Sequence, residues 1–158
     1  MKKIIDIIYL YLELIKLDIL LRLYGFTKVF DSYVKKYGIL GTNTAFEADI
    51  DLRSEVGKLL ILIQVVSTFY PFGAKCMHRS LLGYKVIRKR YKVPIDVVVG
   101  ISKFPFGAHA WLVYETYNLT DDYISTNRYQ VILHSSNYLD LGALRWNGML
   151  GESILTTE

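Results

Sequence analysis

The chain has 158 residues, of which 52% are hydrophobic and 22% charged. This length suits one domain. The high proportion of hydrophobic residues allows the chain to bury a core, which excludes a disordered protein. The net charge of +4 comes without a nucleic-acid-binding motif, so we expect no nucleic acid partner. Cys76 is the one cysteine, which excludes an intramolecular disulfide.

The first 26 residues are very apolar, and we interpret them as a helix. Charges interrupt the roughly 20 apolar residues that a membrane span needs, and no small-residue cleavage site follows, so we expect neither a span nor a signal peptide. On a helical wheel, Lys2, Asp6, Glu13 and Lys16 form one narrow polar stripe. The remaining apolar surface must be covered by the chain's own domain, by a partner protein or by a membrane surface.

The next elements also read as helical. Gly25 allows a break, after which residues 27–37 form a second amphipathic piece. Residues 38–51 are polar and rich in turn-forming residues, which predicts a loop. A buried helix should run from Asp51, acting as its cap, to about Phe69.

A third helix is predicted from Cys76 to Arg90, after a turn at residues 70–73. A basic run, residues 88–90, ends this helix. We interpret the run as cations at a helix C-terminus, rather than as a site for phosphate, acidic peptide or lipid. The predicted apolar face of the helix consists of Leu81, Leu82, Val86 and Ile87.

Strand-like segments follow at residues 95–101, 108–116 and 129–134, because β-branched and aromatic side chains dominate them. Helices followed by consecutive strands predict an α+β fold with an antiparallel sheet. We divide the chain into a helical N-terminal region and candidate docking element, a core, and a tail without a clear pattern; these are residues 1–50, 51–138 and 139–158.

Three side chains have types suited to thiol chemistry. Cys76 lies where a turn enters a helix, and the free N–H groups and dipole there stabilise a thiolate and a developing oxyanion. His109 opens a predicted strand between two alanines, where an imidazole has room to act as a base. Asp121 follows that strand and is placed to orient an imidazole. Taken singly, each type is more often structural: a core cysteine, a structural histidine or a turn aspartate.

Three segments resemble the lasso-peptide leader peptidases, which have a transglutaminase-like core. Residues 70–81, YPFGAKCMHRSL, resemble the family's nucleophile segment, with a Pro-Phe turn, a cysteine and Arg-Ser-Leu entering a helix. Residues 94–101, PIDVVVGI, resemble its first core strand, and residues 105–113, PFGAHAWLV, its histidine segment. The family's aspartate follows the histidine by twelve positions, which selects Asp121 over Asp122.

The resemblance implies a transglutaminase/papain-like core, in which the nucleophile helix packs on an antiparallel sheet. It implies a Cys76–His109–Asp121 triad and cleavage of the leader from a ribosomally made precursor, without cofactor or metal. Implied partners are the precursor peptide, a separate leader-recognition protein and an ATP-dependent cyclase. Independently of the resemblance, we expect a cytoplasmic protein, and the apolar surface of the first helix makes residues 4–23 a candidate contact to the inner face of the membrane.

This chain departs from the family pattern in two places. Residues 115–118 replace a turn that often contains glycine, and no winged-helix leader-recognition domain is present. In the split version of the family that domain is a separate small protein, so this chain resembles the peptidase half.

Other functions remain open. The same triad serves amidases and acyltransferases of the transglutaminase-like superfamily. In a non-catalytic module, Cys76 would be a core residue and the apolar helix would dock a partner or a membrane. A metal site of Cys76, His78 and His109 is disfavoured, because Cys76 and His78 point to different faces of a helix start.

Overall fold

The structure is a computed structural model that describes residues 2–38, 46 and 49–138. Helices precede most of the sheet, as the sequence predicts. In chain order the elements are α1 (Lys2–Tyr37), α2 (Ile50–Thr68), α3 (Cys76–Tyr91), β1 (Asp96–Lys103), β2 (Phe106–Tyr114), β3 (Tyr117–Asn118), α4 (Tyr123–Thr126) and β4 (Gln130–His134).

The strands form one antiparallel sheet in the order β3-β2-β1-β4. The predicted α+β class is therefore confirmed. β1 and β2 form a hairpin in which Gly100 lies directly opposite His109. The pairing of β1 with β4 shifts between Val99 and Gly100, so the sheet is irregular beside His109. The sequence did not predict β3, because two residues are too few to show an alternating pattern.

The break predicted at Gly25 is a kink within α1. Gly25 has φ 76° and ψ 169°, a conformation that only glycine adopts without steric cost. The kink divides the element into a longer N-terminal part and a second part, which contains the amphipathic piece predicted at residues 27–37.

One hydrophobic core joins the three long helices to the sheet. The apolar face predicted for α3 is buried, since Leu81, Leu82, Val86 and Ile87 are each at most 2% exposed. α1 contributes Leu10, Leu14 and Leu17 to this core, and all three are fully buried. The inner side of α1 is therefore covered by the chain's own domain, which was the first of the three alternatives for this helix.

The cap of α2 differs from the predicted one. The helix begins at Ile50, and the side chain of Asp49 accepts a hydrogen bond of 3.0 Å from the backbone N–H of Leu52. Asp51 lies in the first turn of the helix instead. Both aspartates suit a helix N-terminus, so residue type alone could not separate them.

The basic run ends α3, as interpreted, and its arginines form internal ion pairs. Arg88 is 2% exposed, donates to the carbonyl of Ile95 and pairs with Asp96 at 3.1 Å. Arg90 pairs with Asp6 of α1 at 2.8 Å. These pairs connect the C-terminal end of α3 with α1 and β1.

Among the described residues, no helix has the combination of length and apolarity needed to cross a membrane. The loop predicted at residues 38–51 falls largely outside the described residues, and the tail at residues 139–158 falls wholly outside them.

Candidate active site

β2 presents the histidine that the sequence singled out, and a carboxylate reaches it from the segment after β3. His109 Nε2 lies 3.0 Å from Asp121 Oδ1. The two side chains are 19% and 24% exposed, so solvent only partly screens the pair. His109 is the fourth residue of β2, which begins at Phe106, so the prediction that it opens the strand was wrong by a few residues.

Asp121 is fixed in place by its neighbour. The hydroxyl of Thr120 donates to Asp121 Oδ2 at 2.9 Å and accepts from the backbone N–H of Leu112 at 3.0 Å. A hydrogen bond from Leu119 N to Leu112 O adds a second link to β2. The strand that carries His109 therefore also holds the segment that carries Asp121.

Two aromatic rings flank the imidazole. Trp111 is nearly parallel to His109, with centroids 5.9 Å apart and an interplanar angle of 16°, and Tyr129 lies at 5.4 Å. The space for Tyr129 depends on Gly100, since a Cβ at Gly100 would lie 2.8 Å from the Cβ of Tyr129. The sequence did not reveal the supporting roles of Gly100 and Tyr129. The available signal was a glycine inside a β-branched strand.

Cys76 and His109 line the same cavity, which has a volume of about 340 Å³. Cys76 is the first residue of α3, so its backbone N–H has no partner within the helix. Since Asp121 holds Nε2 of His109, Nδ1 is the ring nitrogen left to serve the thiol. Apolar side chains make up much of the remaining wall, among them Phe26, Met77 and Val99.

A second cavity, of about 460 Å³, lies beside Asp121. Its lining includes Gln64 of α2 and Arg79 of α3, which are joined by a hydrogen bond of 2.6 Å. Ala110 of β2 belongs to the lining of both cavities.

A buried hydrogen bond holds the helix of Cys76 against the strand of His109. The hydroxyl of Ser80, which is 2% exposed, donates to the carbonyl of Ala110 at 2.9 Å. Ser80 lies one turn after Cys76 and Ala110 immediately follows His109, so this bond links the two segments that carry the candidate catalytic residues.

A second histidine and aspartate pair supports the start of α3. His78 Nδ1 accepts a hydrogen bond from the backbone N–H of Lys75 at 3.1 Å, which is half of a capping box. Nδ1 is therefore unprotonated, and Nε2 carries the proton that it donates to Asp18 Oδ1 at 3.2 Å. Asp18 and His78 are each 7% exposed.

Asp18 also accepts hydrogen bonds from Tyr70 at 2.9 Å and from Arg22 at 3.0 Å. Burial opposes ionisation of Asp18, but the hydrogen bonds from Arg22, Tyr70 and His78 outweigh it and lower the pKa of the carboxyl. Burial, together with the hydrogen bond to Asp18, raises the pKa of Tyr70 to about 12. Sequence reasoning missed this network, although an acid outside the polar stripe of α1 was a usable signal.

The structure gives no support to the metal alternative within the residues that it describes. Both ring nitrogens of His78 are occupied, one by Lys75 and the other by Asp18. In the described part of the chain, no group of three His, Cys, Asp or Glu side chains is arranged to hold a metal ion.

A helix that begins with a cysteine packs on an antiparallel sheet that carries a histidine, and an aspartate from the segment after β3 pairs with that histidine; this is the layout of a transglutaminase-like core. The chain belongs to the transglutaminase-like superfamily, whose family model matches residues 38–134, more than half of the chain. Cys–His–Asp catalysis is typical of that superfamily. No curated protein and no solved structure matches the chain.

Proposed function

We propose that this protein is a cysteine peptidase that removes the leader from a ribosomally synthesised lasso-peptide precursor before macrocyclisation. The observation that carries the proposal is the meeting of Cys76 and His109 at one cavity, with His109 hydrogen-bonded to Asp121 at 3.0 Å. The resemblance of residues 70–81 and 105–113 to the leader peptidases supports the choice of substrate.

Catalysis begins with proton transfer from the Cys76 thiol to Nδ1 of His109. Asp121 accepts the Nε2–H bond, so it holds the productive tautomer and stabilises the imidazolium that forms. The Cys76 thiolate attacks the carbonyl carbon of the last leader residue. The free N–H of Cys76 then donates to the oxyanion.

The tetrahedral adduct collapses when the imidazolium gives its proton to the departing amine of the core peptide. The leader remains as a thioester on Cys76. His109 next removes a proton from water, whose oxygen attacks the thioester carbonyl. The C–S bond then breaks, the imidazolium returns this proton to the Cys76 sulfur, and the leader leaves as a free acid. Each proton taken up by His109 is returned, so the cycle needs no cofactor.

The proposed partners are the precursor, a separate leader-recognition protein and an ATP-dependent cyclase that receives the freed core. We place the reaction in the cytoplasm, where the ribosome supplies the precursor and ATP supplies the cyclase. Two separate cavities, one lined by His109 and the other by Asp121, share Ala110 in their walls, which suits an extended peptide better than a compact small molecule.

The experiment is cleavage of a lasso-peptide precursor, with and without a leader-recognition protein, followed by mass spectrometry. Wild-type protein should release leader and core, whereas Cys76→Ala should release neither and keep its circular dichroism spectrum. Asp122→Asn is the matched control and should still cleave. Near-normal cleavage by Cys76→Ala contradicts the triad, and transfer of the leader to an added amine instead of water indicates an acyltransferase.

A further inference from the structure

The outward side of α1 carries a continuous row of exposed aliphatic side chains. We call this row the outer stripe; its members are Ile4, Ile5, Ile8, Leu12, Ile19 and Leu23, each between 50% and 70% exposed. At 3.6 residues per turn these positions fall within an arc of about 100° and extend about 28 Å along the helix axis. All of them precede the kink at Gly25, so they lie on one uninterrupted helix.

The charges of this helix segment are segregated by sign. Its acidic side chains face the rest of the molecule, where Asp6 pairs with Arg90, Glu13 pairs with Lys85, and Asp18 is buried. Between residues 3 and 24, the exposed charged side chains are Lys3, Lys16 and Arg22, and all three are cationic. By helical geometry, Lys16 and Arg22 lie at the two edges of the outer stripe. Arg22 also pairs with Asp18 through Nε at 3.0 Å, and its side chain remains 61% exposed.

An aromatic ring extends the apolar surface at the Arg22 edge. Phe72 is 68% exposed, and the guanidinium of Arg22 lies 5.7 Å from its centroid. Phe72 belongs to the turn that precedes Cys76. The apolar surface therefore continues from α1 toward the segment that leads into α3.

We propose that α1 lies in the surface of an anionic lipid bilayer, with the outer stripe at the boundary between headgroups and acyl chains. Aliphatic residues on the exposed face with lysine and arginine at the edges suit this position, because the cations reach lipid phosphates. Phe72 and Arg22 would suit a protein interface as well, but the outer stripe itself consists only of isoleucine and leucine with Lys16 at its edge, whereas protein interfaces are enriched in aromatic residues, methionine and arginine and depleted in lysine. No described helix is able to span the bilayer, so the contact is peripheral.

The proposal is independent of the proposed function, because it uses none of the residues Cys76, His109 and Asp121. If the protein lacks peptidase activity, lipid binding through the outer stripe is still expected. If it is an active peptidase that does not bind lipid, this proposal fails and the proposed function stands.

The test is co-sedimentation of the full chain with two kinds of vesicle, one of phosphatidylcholine alone and one of phosphatidylcholine mixed with phosphatidylglycerol. The protein should pellet with the mixed vesicles, less with phosphatidylcholine, and less in high salt than in low salt. The double variant Ile8→Glu/Leu12→Glu should lose about tenfold or more in affinity for the mixed vesicles. Lys16→Glu should reduce the preference for anionic lipid.

The matched control is Ile124→Glu/Val131→Glu, which changes two exposed aliphatic side chains outside α1. It should bind vesicles like wild type, and circular dichroism should show that both double variants fold. The proposal fails if wild type stays in the supernatant with both vesicle types, or if both double variants bind equally well. It also fails if ultracentrifugation shows a dimer, or if the leader-recognition protein binds the outer stripe, while lipid does not bind.

Discussion

Asp18 of α1 accepts a hydrogen bond from His78 of α3 across 60 positions of sequence, at a distance of 3.2 Å. His78 in turn accepts from the backbone N–H of Lys75, the residue before Cys76. The N-terminal helix is therefore connected, through two hydrogen bonds, to the turn that presents the candidate nucleophile.

Asp18→Asn should lower the free energy of unfolding by about 1–3 kcal/mol, the usual cost of disturbing a buried hydrogen-bonded group. The folded state lowers the pKa of Asp18 below its ordinary 3.8, so the carboxylate stabilises the protein above that pH. This contribution is lost as the pH falls through the lowered pKa. The difference between wild type and Asp18→Asn should therefore shrink in acid, as measured by denaturant unfolding across pH.

The control for that series is Asp31→Asn. Asp31 forms an exposed pair with Lys35 at 2.8 Å, and such pairs contribute about 0.5 kcal/mol or less. An equal loss in both variants, or a loss in Asp18→Asn that does not depend on pH, contradicts the role assigned to the buried carboxylate.

Deleting residues 1–23 should unfold the protein, because the inner side of α1 is part of the core whatever its outer side binds. The deletion removes the fully buried Leu10, Leu14 and Leu17 along with Asp18. A buried leucine truncated to alanine costs about 2–5 kcal/mol, so the combined loss exceeds a typical total stability of about 5–15 kcal/mol once the rest of the helix goes too. Circular dichroism and solubility measure the outcome; a soluble, folded fragment would show that α1 is dispensable.

Asp121→Asn and Asp122→Asn should differ strongly in their effect on turnover. Asp121 hydrogen-bonds His109, and an amide in its place permits the wrong tautomer, so kcat should fall by about 10⁴-fold, as for other triad aspartates. Asp122 instead caps α4 by accepting from Ser125 N at 2.7 Å. Steady-state cleavage rates of the two variants measure the difference. A larger loss of kcat in Asp122→Asn than in Asp121→Asn would contradict the assignment of Asp121 as the triad aspartate.

Gly100→Ala and Gly57→Ala should change stability in opposite directions. A Cβ at Gly100 meets Tyr129 Cβ at 2.8 Å and Trp111 Cη2 at 3.0 Å, and overpacking of this kind costs about 1–3 kcal/mol. Gly57 lies within α2 with nothing within 4 Å of an added Cβ, where alanine is favoured by about 1 kcal/mol. Thermal unfolding measures whether each variant is more or less stable than wild type. An unchanged stability of Gly100→Ala would show that Trp111 and Tyr129 move aside easily.

Much of the fold could be predicted from the sequence because its signals are local. The helix of α3 follows from a turn, a helix start and four apolar residues at helical spacing, and β1 follows from a β-branched run. The two-residue β3 and the choice of Asp49 over Asp51 as a cap escaped prediction, since tertiary contacts select among locally equivalent residues.

The candidate site likewise contains some residues that could be predicted from the sequence and others that could not. Cys76, His109 and Asp121 were selected through resemblance, not through periodicity, and their catalytic roles stay predictions. The residues that support them come from distant segments: Asp18 lies 60 positions before His78, and Ser80 lies 30 positions before Ala110. A single sequence can mark one member of such a pair, as the position of Asp18 outside the polar stripe does, but it does not identify the partner, because only the folded chain brings their atoms together.

The most direct test of the central claim is the rate at which iodoacetamide alkylates Cys76, followed by intact-protein mass spectrometry at neutral pH. A thiol activated by His109 at the start of α3 should react much faster in wild type than in His109→Ala, with Asp121→Asn between them and Asp122→Asn like wild type. If Cys76 is inert in the folded wild-type protein, or reacts at the same rate in His109→Ala, then the two residues do not act together and the cysteine peptidase account is wrong.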